Sequence, residues 1–475
     1  MKRFFSLVIC VFLVFGSVIG FSGCSSKKDN QVLKVYNWED YISVSEDGSD
    51  EYVDLIAEFE KEYGVTVEYS TFGTNENMYN ELKINSTGYD LVCPSDYMIM
   101  RMIKEDMCEP FSEDFKNGEY MNNVSPYLKH LFELNGWTDY AAAYMWGTMG
   151  YVYNPNYVNS EHVKSWSAIW MDEYANQSTI KDSVRDSFFL GLAYTYQDEL
   201  NALKDKLNSN QLTPEEYNAQ LTEIMNRTDE DTLEKVKKNL ISVKENLYGF
   251  EVDSGKWDAV TGKININFAW SGDAVAAMDE AEEAEVYLNY AIPEECSNIW
   301  FDGWVMPKGA NVELAEKFIN FLSRPENAVS NMNYIGYTSA IAGNDLDNTV
   351  FEWVEECYGY DKTEEGVIEY DLSYFFGENK VIYVYEEDLQ RQLMAQYPTE
   401  DVINRCAVMQ YFDDETNAAV NEMWEEFKGV PIPVWAYIVI AAIIAIIIFI
   451  AISYLYKGKT FVHKPKKGYK ILTKK

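Results

Sequence analysis

The chain has 475 residues, 47% of them hydrophobic and 15% aromatic, so it is too long for one ordinary domain and too apolar to be disordered over most of its length. Its 39 Lys and Arg stand against 77 Asp and Glu, a formal charge of −38, and a surface of that sign excludes nucleic acid as a partner. Lys2, Arg3 and eight lysines between Lys457 and Lys475 lie at the ends; without these ten, 29 basic residues face 77 acidic ones, a net of −48 whose field attracts small cations.

The chain opens with Met1-Lys2-Arg3 and an uncharged apolar run over 4–21, the pattern of a secretory signal. The run ends in Phe21-Ser22-Gly23-Cys24, which resembles the lipobox of bacterial lipoproteins, so a signal peptide is expected over 1–23, lipidation at Cys24 and a polar tether over 24–31. Alternation at Leu33-Lys34-Val35-Tyr36 predicts a strand, and Tyr52, Leu55, Ile56, Phe59 and Tyr63 fall on one face of a helix that Gly64 is placed to end. A strand is expected over 65–69, a helix over 77–85 and a strand over 90–93, after which Ser95 or Asp96 can cap another helix. This β-α-β-α-β-α order predicts an α/β domain with a largely parallel sheet, whose ligands bind beyond the carboxyl ends of the strands.

The same alternation returns with a strand over 264–269, a helix opening near Ser271 and a strand over 286–292; Leu314, Phe318, Phe321 and Leu322 then mark one face of a helix. The intervening stretch 197–247 is charged and helical in pattern with a break at Pro214, and reads as a helical hairpin inserted in the second domain, away from any cleft. At the far end, an uncharged Ile- and Ala-rich run over 434–456, flanked by Trp435, Tyr437, Tyr454 and Tyr456, predicts a transmembrane helix. The lysine-rich tail over 457–475 is then cytoplasmic by the positive-inside rule and the acidic body lies outside.

Little points to catalysis. Besides Cys10 and Cys24, the five cysteines (Cys93, Cys108, Cys296, Cys357, Cys406) are scattered without metal-like spacing, and there are only three histidines, so neither a metal site nor a disulfide framework nor a cofactor is expected. The acidic neighbours Glu39 and Asp40, or Asp413 and Asp414, point to opposite sides of an extended segment and make no facing acid–base pair. No nucleophile elbow or phosphate-binding loop is present. An enzyme is therefore not expected.

The segment Val35-Tyr36-Asn37-Trp38-Glu39-Asp40-Tyr41-Ile42 resembles the N-terminal signature of the spermidine/putrescine-binding proteins of bacterial ABC importers. In the family's order follow Tyr89-Asp90-Leu91-Val92-Cys93-Pro94-Ser95-Asp96-Tyr97, Tyr144-Met145-Trp146-Gly147, the surroundings of Ser183, Arg185 and Asp186, Trp270-Ser271-Gly272-Asp273, Trp300-Phe301-Asp302 and Ile335-Gly336-Tyr337. The resemblance covers nearly all of 33–428. It implies a two-lobed α/β fold of the periplasmic-binding-protein type (type II) that closes about a hinge, with lobe I over 32–145 and 303–348 and lobe II over 146–302 and 349–428. It further implies a monomer on the outer face of the cytoplasmic membrane that hands its ligand to a permease and ATPase; a protein of the same fold binding another small solute or cation is the alternative.

A polyamine is a chain of methylenes between protonated amines. Its charges leave water at tolerable cost only if each meets a carboxylate, and its methylenes and cations both favour aromatic walls. The resemblance implies that Trp38, Tyr41, Tyr97, Trp270, Trp300 and Tyr337 form those walls, that Asp302 and Asp186 meet amines, and that Ser95 and Ser254 hydrogen-bond the ligand. Three departures bear on which amines are read. Ser183 stands where spermidine-type members have an aspartate, Asp273 stands where putrescine-type members have one, and Glu39 with Asp40 brings an additional carboxylate toward the cleft.

Overall fold

The computed structural model describes residues 31–45, 52–85, 88–344 and 346–429. The expected signal peptide, Cys24 and its tether up to residue 30, the apolar run over 434–456 and the basic tail lie outside the described residues.

The first lobe is built on β1 (Val32–Trp38), β2 (Thr66–Phe72) and β3 (Leu91–Val92), with β2 and β3 each parallel to β1. The helix Leu55–Tyr63 between β1 and β2 starts where the Asp54 carboxylate accepts the Ala57 N–H and ends at Gly64, whose left-handed backbone (φ 64°) suits a residue without a side chain. The next helix, Asn75–Ile84, begins two residues before the expected start, because Thr74 caps it through the Asn77 N–H. Beyond the short β4 (Cys108–Glu109), the chain enters the long strand β5 (Ala141–Tyr153), every residue of which is buried.

The second lobe adds β6 (Ser178–Lys181), β7 (Leu247–Glu251) and β8 (Ile266–Trp270), with β7 and β8 parallel to β6, while β8 and β9 (Asn289–Ala291) run antiparallel to the last residues of β5. The strand β10 (Ser297–Pro307) then returns along β5, antiparallel to it and to β3, giving the path β2-β1-β3-β10-β5-β8-β6-β7. The sheet is thus mixed and not largely parallel. Two long antiparallel strands join the lobes, and parallel units flank them on either side. The stretch over 197–247 forms three helices, Gln197–Asn208, Pro214–Met225 and Glu230–Lys244; Pro214 opens the second of them behind a Thr213/Glu216 capping box.

Two buried clusters form the interior, and the first of them crosses from one lobe into the other, taking in Ala269 of β8, Met278 and Tyr290 of β9. One gathers Leu33, Phe59, Leu91, Ile99, Phe301 and Phe318; the other gathers Tyr151, Trp166, Phe188, Leu221, Leu240 and Phe268. In the C-terminal region the buried apolar side chains from Val350 to Cys406 join the first cluster and those from Ala407 to Phe427 the second.

The expectation of a C-terminal transmembrane helix is corrected: among the described residues no helix is long and apolar enough to cross a membrane. The last described helix, Asp414–Lys428, has 15 residues and buries Val420, Met423, Trp424 and Phe427 against the second cluster while Glu422, Glu425 and Glu426 point outward, the pattern of a surface helix on a protein core. The fold class is two-lobed α/β, with no spanning helix among the described residues.

Close approach of β9 to β5 depends on Gly150, where an added Cβ would overlap the Ala291 carbonyl oxygen and lie 2.8 Å from the Tyr290 ring. Gly150→Ala should therefore force the two strands apart and lower the free energy of unfolding by about 1–3 kcal/mol, read as a lower urea midpoint with the slope unchanged.

Candidate functional site

The carboxyl ends of β1, β3, β6 and β8 converge between the lobes, and the chain places polar side chains where each strand stops. Shortly after β3, Ser95 occupies the N-cap position of the helix Asp96–Lys104, yet its hydroxyl makes no cap. It donates to Asp302 Oδ1 at 2.6 Å, while the Tyr41 hydroxyl donates to Asp302 Oδ2 at 2.7 Å. Asp302 comes from the middle of β10, where the register against β5 shifts between Asp302 and Gly303. Such a bulge re-aims a side chain, here toward Ser95, with which Asp302 forms an isolated antiparallel bridge. Asn75 completes this corner, donating to Ser95 Oγ at 3.0 Å and to the Tyr97 hydroxyl at 3.1 Å.

Asp302 is 6% exposed. Burial pushes its carboxyl up to about 6, the Ser95 and Tyr41 hydrogen bonds pull the other way, and the charge of Asp186 adds to the rise. Asp186, in the first turn of the helix Val184–Thr195, is raised by burial and held partly in check by hydrogen bonds from the side chains of Ser183 and Trp270. Asp96 is also buried and raised by burial, against the backbone N–H of Tyr97 that its Oδ1 accepts at 2.5 Å. None of these three carboxyls forms an ion pair with a lysine or arginine among the described residues. Arg185 lies nearby, but its guanidinium stacks on Phe412 (3.8 Å to the ring centroid) and Tyr97 (4.6 Å) and donates to the Gln410 carbonyl at 2.7 Å.

Aromatic rings close the space around Asp302. Tyr337 meets Tyr41 edge-on at 5.6 Å between centroids and Trp300 at 5.4 Å. Two glycines make this packing possible. A Cβ on Gly272 would overlap the Tyr337 ring, and one on Gly147 would overlap Ser271 Oγ and lie 2.6 Å from the Trp300 ring. The glycines of the Trp146-Gly147 and Trp270-Ser271-Gly272-Asp273 motifs therefore serve to admit rings.

Asp273 is placed differently from Asp302. It is 3% exposed, and its oxygens accept Lys181 Nζ at 3.1 Å, Lys256 Nζ at 3.0 Å and the Tyr337 hydroxyl at 3.3 Å. Burial pushes its carboxyl up, but the two lysines outweigh that and hold it below the usual range.

Of the residues singled out in the sequence, the structure brings Tyr41, Ser95, Asp186, Ser183, Trp270, Asp273, Trp300, Asp302 and Tyr337 into one connected group. Tyr97 stands at its edge, donating to Glu76 at 3.2 Å, and Trp38 packs on Phe72 with centroids 4.5 Å apart. Glu39 and Asp40 are exposed on the turn after β1, with Asp40 at φ 49°, and Ser254 is exposed in the first turn of the helix Ser254–Val260. Sequence reasoning misses Lys181, Glu251, Lys256 and Asp96; the one available signal is a lysine closing the otherwise uncharged strand Ser178–Lys181. Among the described residues, no group of His, Cys, Asp and Glu side chains could hold a metal ion.

Comparison with known proteins agrees with this architecture. Residues 54–355 match the family described as bacterial extracellular solute-binding protein. The spermidine/putrescine-binding periplasmic protein of Salmonella typhimurium is 30% identical over 311 residues, 65% of this chain and 77% of the relative. The putrescine-binding periplasmic protein PotF of Escherichia coli is 29% identical over 69% of this chain and 83% of its own length. The crystal structure of the spermidine/putrescine ABC transporter substrate-binding protein PotD of Streptococcus pneumoniae superposes with a TM-score of 0.57 and 27% identity, covering 84% of this chain and 99% of that one. With more than half its length matched to the family, and its fold superposing on that of a substrate-binding protein at 27% identity, the chain belongs to the bacterial extracellular solute-binding proteins and is a binding protein, not an enzyme.

Proposed function

We propose that the chain captures a polyamine of the putrescine–spermidine class outside the cell and delivers it to the permease and ATPase of an ABC importer. The relatives' binding roles support this reading, and one observation carries it. Asp302, close enough to Asp186 to feel its charge, is a buried carboxyl that lacks a cationic partner among the described residues. An uncompensated buried carboxylate is costly, and a ligand ammonium beside the two acids removes the cost while leaving its methylenes against Tyr41, Trp300 and Tyr337. Trp38, Tyr97 and Trp270 extend the aromatic lining in this proposal, and Ser95 and Ser183 orient the two acids. Glu39, Asp40 and Ser254, being exposed, contribute at the rim of the cleft. Cys24 is proposed as a lipidated residue that tethers the body to the membrane, on the strength of the Phe21-Ser22-Gly23-Cys24 sequence.

Calorimetric titration of a soluble form spanning 31–429 with putrescine, spermidine and glucose tests the ligand class. A polyamine should bind with a Kd of about micromolar or tighter, glucose should not bind, and Asp302→Ala should weaken polyamine binding by about a hundredfold or more. No binding of either amine by a folded sample would rule the polyamine reading out and turn the search to other small cations.

The ligand-free protein carries a pH signature of the same carboxyl. Asp302 is raised from 3.8 to about 6, so between those values the folded state holds a proton that the unfolded chain has released. That stabilisation is complete below the unfolded value and is lost as the pH rises through the folded one. Between pH 4 and 7 the unfolding free energy of Asp302→Asn should therefore fall by about 2–3 kcal/mol less than that of the parent, measured by urea unfolding at a series of pH values.

A further inference from the structure

Lys181 is a lysine in a place built for a ligand's ammonium. Its side chain is 1% exposed at the carboxyl end of β6. The Nζ donates to the Val252 carbonyl at 2.6 Å and to Asp273 Oδ2 at 3.1 Å, lies 3.2 Å from Glu251 Oε1, and sits 4.2 Å from the centroid of the Trp270 ring. Three acceptors meet its three N–H groups and an aromatic face covers it, which is the environment an alkylammonium needs on leaving water. A lysine side chain is itself a butylammonium, so the protein supplies from its own backbone the group that a diamine would present.

The charges around it balance. Asp273 also accepts Lys256 at 3.0 Å, and Glu251 accepts the Gly255 N–H at 2.8 Å and the Asn267 amide at 2.9 Å. Two ammoniums thus stand against the two carboxylates of Asp273 and Glu251. The position of the lysine is fixed by its strand. Lys181 pairs in register with Glu251 of β7, and its carbonyl accepts the Ser187 hydroxyl at 2.6 Å. The next N–H, of Asp182, donates to the Glu251 carbonyl at 2.6 Å and closes the two strands beside the ammonium.

Asp302 and Asp186 have no lysine or arginine within ion-pair distance among the described residues, although the charges of Lys181 and Arg185 draw the Asp186 carboxyl down, and in the polyamine reading these are the two carboxylates that meet ligand amines. We propose that Lys181 is a specificity-determining residue: its ammonium fills the amine position that Asp273 faces, so the cleft takes ligands with two ammonium groups and discriminates against those with a third. The inference rests on the polyamine reading above. A third ammonium directed toward Asp273 meets Lys181 and Lys256, like charges in a place where water cannot screen them.

Calorimetry on the full chain with putrescine (two ammoniums) and spermidine (three) tests this. The parent protein should favour putrescine by about tenfold or more, and Lys181→Met, which leaves one carboxylate in excess, should shift the ratio toward spermidine by about tenfold or more. Lys181→Met with Asp273→Asn restores neutrality and should shift the ratio back. Should the methionine variant not fold by thermal melting, Lys181→Gln removes the same charge and keeps a donor for Val252 and Asp273. Tighter binding of spermidine by the parent, equal weakening of both amines in a folded Lys181 variant, or a double variant that keeps the ratio of the single one would each overturn the proposal. Failure of the polyamine reading itself looks different, since the parent would then bind neither amine.

Discussion

Carboxylates held out of water at the junction of two lobes are the constraint around which this protein is arranged. A buried carboxylate without a cation is unstable unless hydrogen bonds, a proton or a partner charge compensates it. Asp302 has the first from Ser95 and Tyr41, and its raised carboxyl shows that these do not suffice. Everything that fixes its position comes from far away in sequence. Tyr41 follows β1, Ser95 follows β3, and Asp302 itself sits on a strand shared with the other lobe. The site exists only when the two lobes have folded against the same pair of long strands.

Those strands explain how a well-packed fold can still carry a cleft. Because β5 and β10 belong to both lobes, their antiparallel ladder ties the lobes together, and the first buried cluster continues across it to Ala269 and Tyr290 while a second cluster lies within the other lobe. The bulge between Asp302 and Gly303 falls within this shared ladder, so the residue that meets the ligand in the proposed function also lies where the connection between lobes is irregular. Gly147 on β5 and Gly272 after β8 let Trp300 and Tyr337 come in close, which brings aromatic surface up to the acids.

Much of this is legible in the sequence where local chemistry decides. Gly64 ends its helix because a short-range pattern specifies it, and the Trp300-Phe301-Asp302 motif marks Asp302 through the family resemblance. What is not legible depends on tertiary pairing. The sheet is mixed because β10 inserts between β3 and β5, a placement that no periodicity reports. Ser95 reads as a helix cap, but a buried carboxylate 207 residues away takes its hydroxyl instead. Asp273 stands where the resemblance places a putrescine-type aspartate, and nothing in its motif reports that Lys181, 92 residues earlier, engages it. The apolar run over 434–456 is read by length and composition alone and lies outside the described residues.

The contrast between Asp302 and Asp273 shows why counting acids in a motif misjudges a binding site. Both are buried, both come from motifs that bring aromatic residues, and both accept a tyrosine hydroxyl. Burial acts on each in the same direction. Their carboxyls nevertheless move oppositely, one up to about 6 and the other below its ordinary range. Two lysine ammoniums stand within hydrogen-bond reach of Asp273, and none among the described residues does so for Asp302. The attraction a site offers to a cation is set by the charge left uncompensated after the protein's own cations are placed. In an acidic chain with a net charge of −38 the field brings cations to the surface in general, whereas the charge left at a given carboxylate depends on which of the protein's own lysines already engage it, as Lys181 and Lys256 engage Asp273.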